Sequence, residues 1–247
     1  MAYLLEIMKL MAESGAEIYR VEESAQHICA AYGMKGVDVY ATTSNIIVSV
    51  EVEDGVVMTH TKRIGRVSTD IERVDRLNSL VRNISANKPD LNTIKEEIEK
   101  IKATPVYTPL VTFAFYALIS MAFYVFFGGR DLIEGIISGA IGFCVGVMTT
   151  LFSRFDANNL LAKFFCSFFA CAVAFASYRF GLAGMVDYII IGNIMALIPG
   201  IGLTNSLRDL FIGDSISGTL RFIESMMQAI AIACGYVITS LIFGGVS

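Results

Sequence analysis

Apolar and polar positions change rhythm several times along the chain, and each change marks a predicted element. Ile18, Val21, Ala25, Ile28, Cys29 and Tyr32 recur every three or four residues, which is one buried face of a helix. Ser14-Gly-Ala-Glu17 before them reads as a capping box, and Gly33 after them as a stop. Residues 3–12 predict an earlier helical stretch. The period then drops to two. Val37, Val39 and Ala41 alternate with Asp38, Tyr40 and Thr42, and Ile46, Val48, Val50 and Val52 alternate with Ile47, Ser49 and Glu51. Asp54-Gly55 is a hairpin signal, with Val56–Thr61 as the returning strand. Helical spacing resumes at Ile71, Val74, Leu77, Val81 and Ile84, behind a second capping box, Thr69-Asp-Ile-Glu72. It continues at Leu91, Ile94, Ile98 and Ile101, where Glu96 and Lys100 are spaced for an i,i+4 pair.

After Pro109 the alternation gives way to long apolar runs. Five of them, about 109–127, 132–152, 160–179, 186–203 and 220–243, approach the roughly 20 residues that cross a bilayer core of about 30 Å. The predicted fold is therefore an α-helical membrane protein. Five transmembrane helices follow a small soluble α+β domain made of a helix, a three-stranded antiparallel sheet and two helices. The domain boundary falls at 1–104 and 105–247.

Charge sharpens that division. Residues 1–108 carry 13 of the 19 Lys and Arg and 16 of the 23 Asp and Glu, although mean hydropathy over the whole chain is +0.62. The inner flanks would hold Lys95, Lys100, Lys102, Arg154, Lys163, Arg208 and Arg221, and the outer flanks only Arg130 and Arg179. That bias places the N-terminal domain in the cytoplasm and the C-terminus outside. The N-terminus lacks the basic region and cleavage site of a secretory signal. A net charge of −4 gives no reason to expect nucleic acid. His27 and His60 have no carboxylate or thiol at ligand spacing, so neither a metal nor a cofactor is called for. The five cysteines form no C-x-x-C pair and read as packing residues.

Candidate chemistry concentrates where polarity interrupts the apolar runs. The stretch 193–224 carries Asn193, Pro199, Gly200, Asn205, Arg208, Asp209, Asp214, Arg221 and Glu224. Polar and ionisable groups near a bilayer are costly and are kept on a solute path or in a packed interior. A Pro-Gly step breaks a helix and frees backbone groups that can face a ligand. An arginine there suits a carboxylate; Asp209, Asp214 or Glu224 suits an ammonium group or a proton. The alternative is a cytoplasmic loop whose charges merely follow the orientation bias. Glu224, Gln228, Gly235 and Thr239 make a polar stripe on the last span, for packing or for a path. Gly135, Ser138, Gly139, Gly142 and Gly146 make a small-residue stripe that lets helices approach. In the N-terminal domain, Glu17, Tyr19, Arg20 and Glu22 form a dense polar patch, either a solvated face or a site.

The segment GAEIYRVEESAQHICAAYG followed by NIMALIPGIGLTNSLRDLFIGDSISGTLR resembles the threonine/serine exporter family. The likeness is to the short YjjP-like subunit of a split, two-protein exporter, and it covers essentially the whole chain. It implies proton-coupled export of small metabolites from the bacterial inner membrane, either threonine- and serine-type amino acids or small dicarboxylates such as succinate. Long members have about ten spans, so the resemblance also implies a second small membrane subunit, or a homo-oligomer, as partner. Two other readings compete with it. A membrane-anchored sensor or scaffold would use the spans only as anchors. A membrane-anchored hydrolase would use the Glu17–Glu23 patch, but the sequence shows no nucleophile–base pair and no G-x-S-x-G, phosphate loop or H-E-x-x-H.

Overall fold

A computed structural model describes residues 1–52, 55–65, 67–104, 107–155 and 157–243. Two compact units are present: Met1–Pro105 together with Thr204–Phe222, and Val106–Leu203 together with Ile223–Ser247.

The first unit opens with α1 (Ala2–Glu13) and α2 (Ile18–Ala31). Leu4, Leu5, Ile7, Met8, Leu10 and Met11 are all buried, so α1 is a core helix rather than an amphipathic one. Strands β1 (Lys35–Ala41), β2 (Asn45–Glu51) and β3 (Val57–Arg63) pair antiparallel in the order β1-β2-β3. Their alternation puts Val39, Ala41, Ile46, Val48 and Val50 into the same core. The edge strand β3 leaves Val57 and Met58 exposed. Helices α3 (Ile71–Asn87) and α4 (Leu91–Lys102) close the core with Leu77, Ile84, Ile94 and Ile98.

Local details correct several expectations. Ser14 does not cap α2; it is the C-cap of α1, and α2 begins after Glu17, which makes no side-chain cap. At α3 the capping carboxylate is Asp70, whose Oδ1 accepts from the Arg73 amide at 2.9 Å, while Glu72 pairs with Arg76. Lys100 pairs with Glu97 at 2.6 Å, one position off the predicted partner Glu96. Gly33 does end α2, in the left-handed region at φ +70°. Asp54 of the predicted hairpin turn lies outside the described residues.

The second unit holds α5 (Pro109–Phe126), α6 (Leu132–Arg154), α7 (Asn159–Arg179), α8 (Val186–Met195), the start of α9 (Gly200–Ile212) and most of α10 (Ser215–Phe243). Among the described residues four helices, α5, α6, α7 and α10, are long and apolar enough to cross a membrane; the number is five if α8 and α9, which bend by 55° at their break, count as one span. The small-residue stripe packs α6 on α5: a Cβ added at Gly142 would lie 2.7 Å from the Tyr116 carbonyl oxygen. Glu134, buried at the start of α6, accepts from the Gly184 and Met185 amides at 2.6 and 3.0 Å and from the Tyr124 hydroxyl at 2.8 Å. It ties three segments together and is a structural carboxylate.

Candidate functional site

Two helix turns of the first unit build a cluster of charged side chains. In the first, Gly15 at φ +86° ends α1, and the Ala16 amide reaches back to the Met11 carbonyl at 3.0 Å. The chain reverses there and presents the Ala16 carbonyl and the Glu17 side chain just ahead of α2. The second turn uses the same device. Gly213 at φ +105° ends α9, and the Asp214 amide bonds the Asp209 carbonyl at 2.9 Å. The Asp214 carbonyl then accepts from the Gly218 amide at 2.8 Å and starts α10. A glycine-terminated turn thus fixes Asp209 and Asp214 at the two ends of one backbone hydrogen bond.

The side chains of the two turns meet. Arg208 donates from Nη1 to Glu17 Oε1 and from Nη2 to the Tyr19 hydroxyl at 2.6 Å, with its guanidinium 5.1 Å from the Tyr19 ring centre. Arg20 holds the other Glu17 oxygen at 2.9 Å, so Glu17 sits between two arginines. Arg221 donates to the Ala16 carbonyl at 2.9 Å and to Asp209 Oδ2 at a long 3.4 Å. Asp209 is fully buried, and its Oδ1 has no hydrogen-bond partner. Oδ2 of Asp214 is likewise buried without a partner. Glu22, one turn along α2 from Glu17 and Tyr19, accepts the Ala41 amide at 2.7 Å. Burial pushes its carboxyl above the usual glutamate range, the Ala41 amide opposes that shift, and the charges of Asp214 and Asp38 add to it.

The two residue groups singled out in the sequence, Glu17–Glu22 near the start and Arg208–Arg221 near the end, are therefore one cluster. The Ala16 carbonyl is a member the sequence did not indicate. Its trace in the sequence is Gly15, which also fits the capping-box pattern Ser14-Gly-Ala-Glu17.

The remaining predicted residues lie elsewhere. Asn193 is buried in α8 of the second unit, where its Nδ2 donates to Ser138 Oγ at 3.2 Å and to the Ile189 carbonyl at 2.9 Å. Pro199 and Gly200 mark the break between α8 and α9, and the Pro199 carbonyl receives the Leu203 amide at 3.0 Å. One carbonyl near the break, Leu197, accepts Lys163 Nζ at 2.7 Å. The sequence marks Lys163 only as an inner-flank charge, although it is the single lysine inside the apolar α7. Asn205 is half-buried on α9. On α10, Gln228 and Thr239 are buried, whereas Glu224 is exposed. A Cβ added at Gly235 would touch the Phe164 carbonyl at 2.7 Å, and Thr239 donates to the Phe168 and Gly235 carbonyls. Gly235 and Thr239 of the α10 stripe therefore pack against α7.

The comparisons with known proteins agree with one another. The chain is 22% identical over 233 residues to the threonine/serine exporter of Corynebacterium glutamicum, an alignment that covers 92% of this chain and 47% of that protein. The chain thus spans about half the length of the curated relative it matches. No solved structure matches it. The family model for threonine/serine exporters matches residues 2–243, nearly the entire chain. With its several apolar helices the chain is a membrane protein, and it belongs to the threonine/serine exporter family, ThrE, whose members are transporters rather than enzymes.

Proposed function

We propose that the chain is one subunit of a proton-coupled secondary exporter, that its substrates are threonine- and serine-type amino acids, and that the Glu17–Glu22 and Arg208–Arg221 cluster handles them. The observation that carries this reading is Asp209: a fully buried carboxylate with one oxygen unpartnered, beside guanidinium groups, in a chain of an exporter family. A buried charged group without full compensation is costly, and such sites are retained where a ligand or proton supplies the missing partner. A zwitterionic amino acid offers an ammonium group for the acids and a carboxylate for Arg208 or Arg221. Four carboxylates, Glu17, Glu22, Asp209 and Asp214, surround the three guanidiniums of Arg20, Arg208 and Arg221. That excess of negative charge favours a zwitterion over a dianion such as succinate.

In this reading the chain works with a second small membrane subunit. Its five spans lie in the bacterial inner membrane, and the distribution of Lys and Arg supports placing the first unit in the cytoplasm and the C-terminus outside. Efflux of labelled threonine, serine and succinate from proteoliposomes under a pH gradient tests the reading, with this chain alone and with its companion. Threonine efflux that needs both subunits is expected, with at least a tenfold loss in Arg208→Ala and Asp214→Asn. Undiminished efflux in both variants would remove the cluster from the transport path.

A further inference from the structure

Taking the exporter reading as its basis, we infer that the acidic group around buried Asp209 and Glu22 holds one exchangeable proton, and that the ammonium group of the substrate displaces it. Substrate and proton then compete for a single charge site, which by itself couples the export of one to the entry of the other.

The inference starts from charge balance. Glu17 is satisfied, because Arg20 and Arg208 each take one of its oxygens. Arg221 is the remaining guanidinium, and it divides its donors between Asp209 and the Ala16 carbonyl. Asp209, Asp214 and Glu22 are thus three acids with one arginine among them. The groups that face Asp209 are Arg221 on α10, Asp214 on the turn, Glu17 on α2 and Arg208 on its own helix. Those that face Glu22 are the Ala41 amide, Asp38 of β1, and Asp214. Asp214 is common to both sets and joins the acids into one electrostatic group. The α10 N-terminus offsets part of the charge on Asp214, but the dipole of a helix end compensates about half a unit charge.

Two buried oxygens, Asp209 Oδ1 and Asp214 Oδ2, have no donor. A proton on Asp209 gives it a donor and removes the excess charge. An ammonium group can supply the same donor and the same charge as a proton. The exchange balances: the carboxyl O–H releases its proton to water, the ammonium N–H groups donate to the resulting carboxylate, and one positive charge replaces another.

The test uses the full chain in lipid nanodiscs, alone and with its companion subunit. Infrared spectroscopy follows the carbonyl stretch of protonated carboxyl groups, and calorimetry with L-threonine in two buffers of different ionisation enthalpy counts the protons released. The expected result is a carboxyl band that titrates with pH, is bleached by L-threonine and is missing in Asp209→Asn, with roughly one proton released per threonine at mildly acid pH. Glu22→Gln, which keeps its acceptor for Ala41, should lower the number released even if Asp209→Asn fails to fold. Threonine binding without proton release overturns the exchange and leaves the exporter site standing. Absence of a titrating band overturns the shared proton. Absence of threonine binding in every buffer overturns the substrate reading and the exchange with it.

Discussion

At the scale of single residues, Arg221 and Glu22 make opposite demands on the cluster. Arg221 is the guanidinium that faces buried Asp209, at 3.4 Å. Removing one partner of a buried pair strands the other charge, at a cost of about 3–5 kcal/mol. Arg221→Met is expected to lose about 3 kcal/mol in denaturant unfolding at neutral pH, and less at acid pH, where a proton can neutralise Asp209. Asp209→Asn added to Arg221→Met should recover most of the loss, since no stranded charge remains. Glu22 behaves the other way. Burial raises its carboxyl above the ordinary range, so the folded state holds that proton more tightly than the unfolded one. Its ionised form therefore costs stability above the folded value, and the cost disappears as pH falls through that value towards the usual glutamate range. Glu22→Gln should raise the thermal midpoint at neutral pH and leave it unchanged at mildly acid pH.

At the scale of elements, the decisive part is the α9–α10 turn. A Cβ at Gly218 would stand 2.8 Å from the Leu210 backbone nitrogen and 3.0 Å from the Ser206 carbonyl oxygen, so the helices close on each other only because residue 218 is glycine. Gly218→Val is expected to cost about 1–3 kcal/mol in unfolding experiments, with insertion into the membrane unchanged. The same turn shows what the sequence does and does not carry. Periodicity located the strands and most helices, because burial of one face imposes the period directly. The sequence also marks Gly33 as the stop of α2, where it sits in the left-handed region. It misjudged helix starts: Ser14-Gly-Ala-Glu17 fits a capping pattern, yet Gly15 spends its left-handed conformation on ending α1. By hydropathy the run 186–203 is one apolar span, but the Pro-Gly step, which the sequence marks as a helix break, splits it, and α8 and α9 bend by 55° there. Hydropathy averages over such a break and does not register it.

At the scale of the whole molecule, both halves of the candidate site were legible, but their union was not. Glu17, Tyr19, Arg20 and Glu22 stood out as a polar patch, and Arg208, Asp209, Asp214 and Arg221 as charges out of place near apolar spans. No local pattern relates positions 191 residues apart, the separation of Glu17 and Arg208. Glu224 misled for a related reason: helical spacing aligned it with Gln228 and Thr239, but it is exposed while they pack inward.

That separation has a consequence for biosynthesis. Ribosomes release the N-terminal helices, the sheet and α3–α4 long before residues 208–221 emerge. Until then Glu17 has Arg20 as its sole guanidinium, and the Ala16 carbonyl awaits its donor. A domain that folds as it is made must persist through the insertion of several apolar helices with its acidic face unmatched, and only the last part of the chain completes it. Synthesis of residues 208–221, rather than completion of the N-terminal sheet, is the step at which the charge cluster can form.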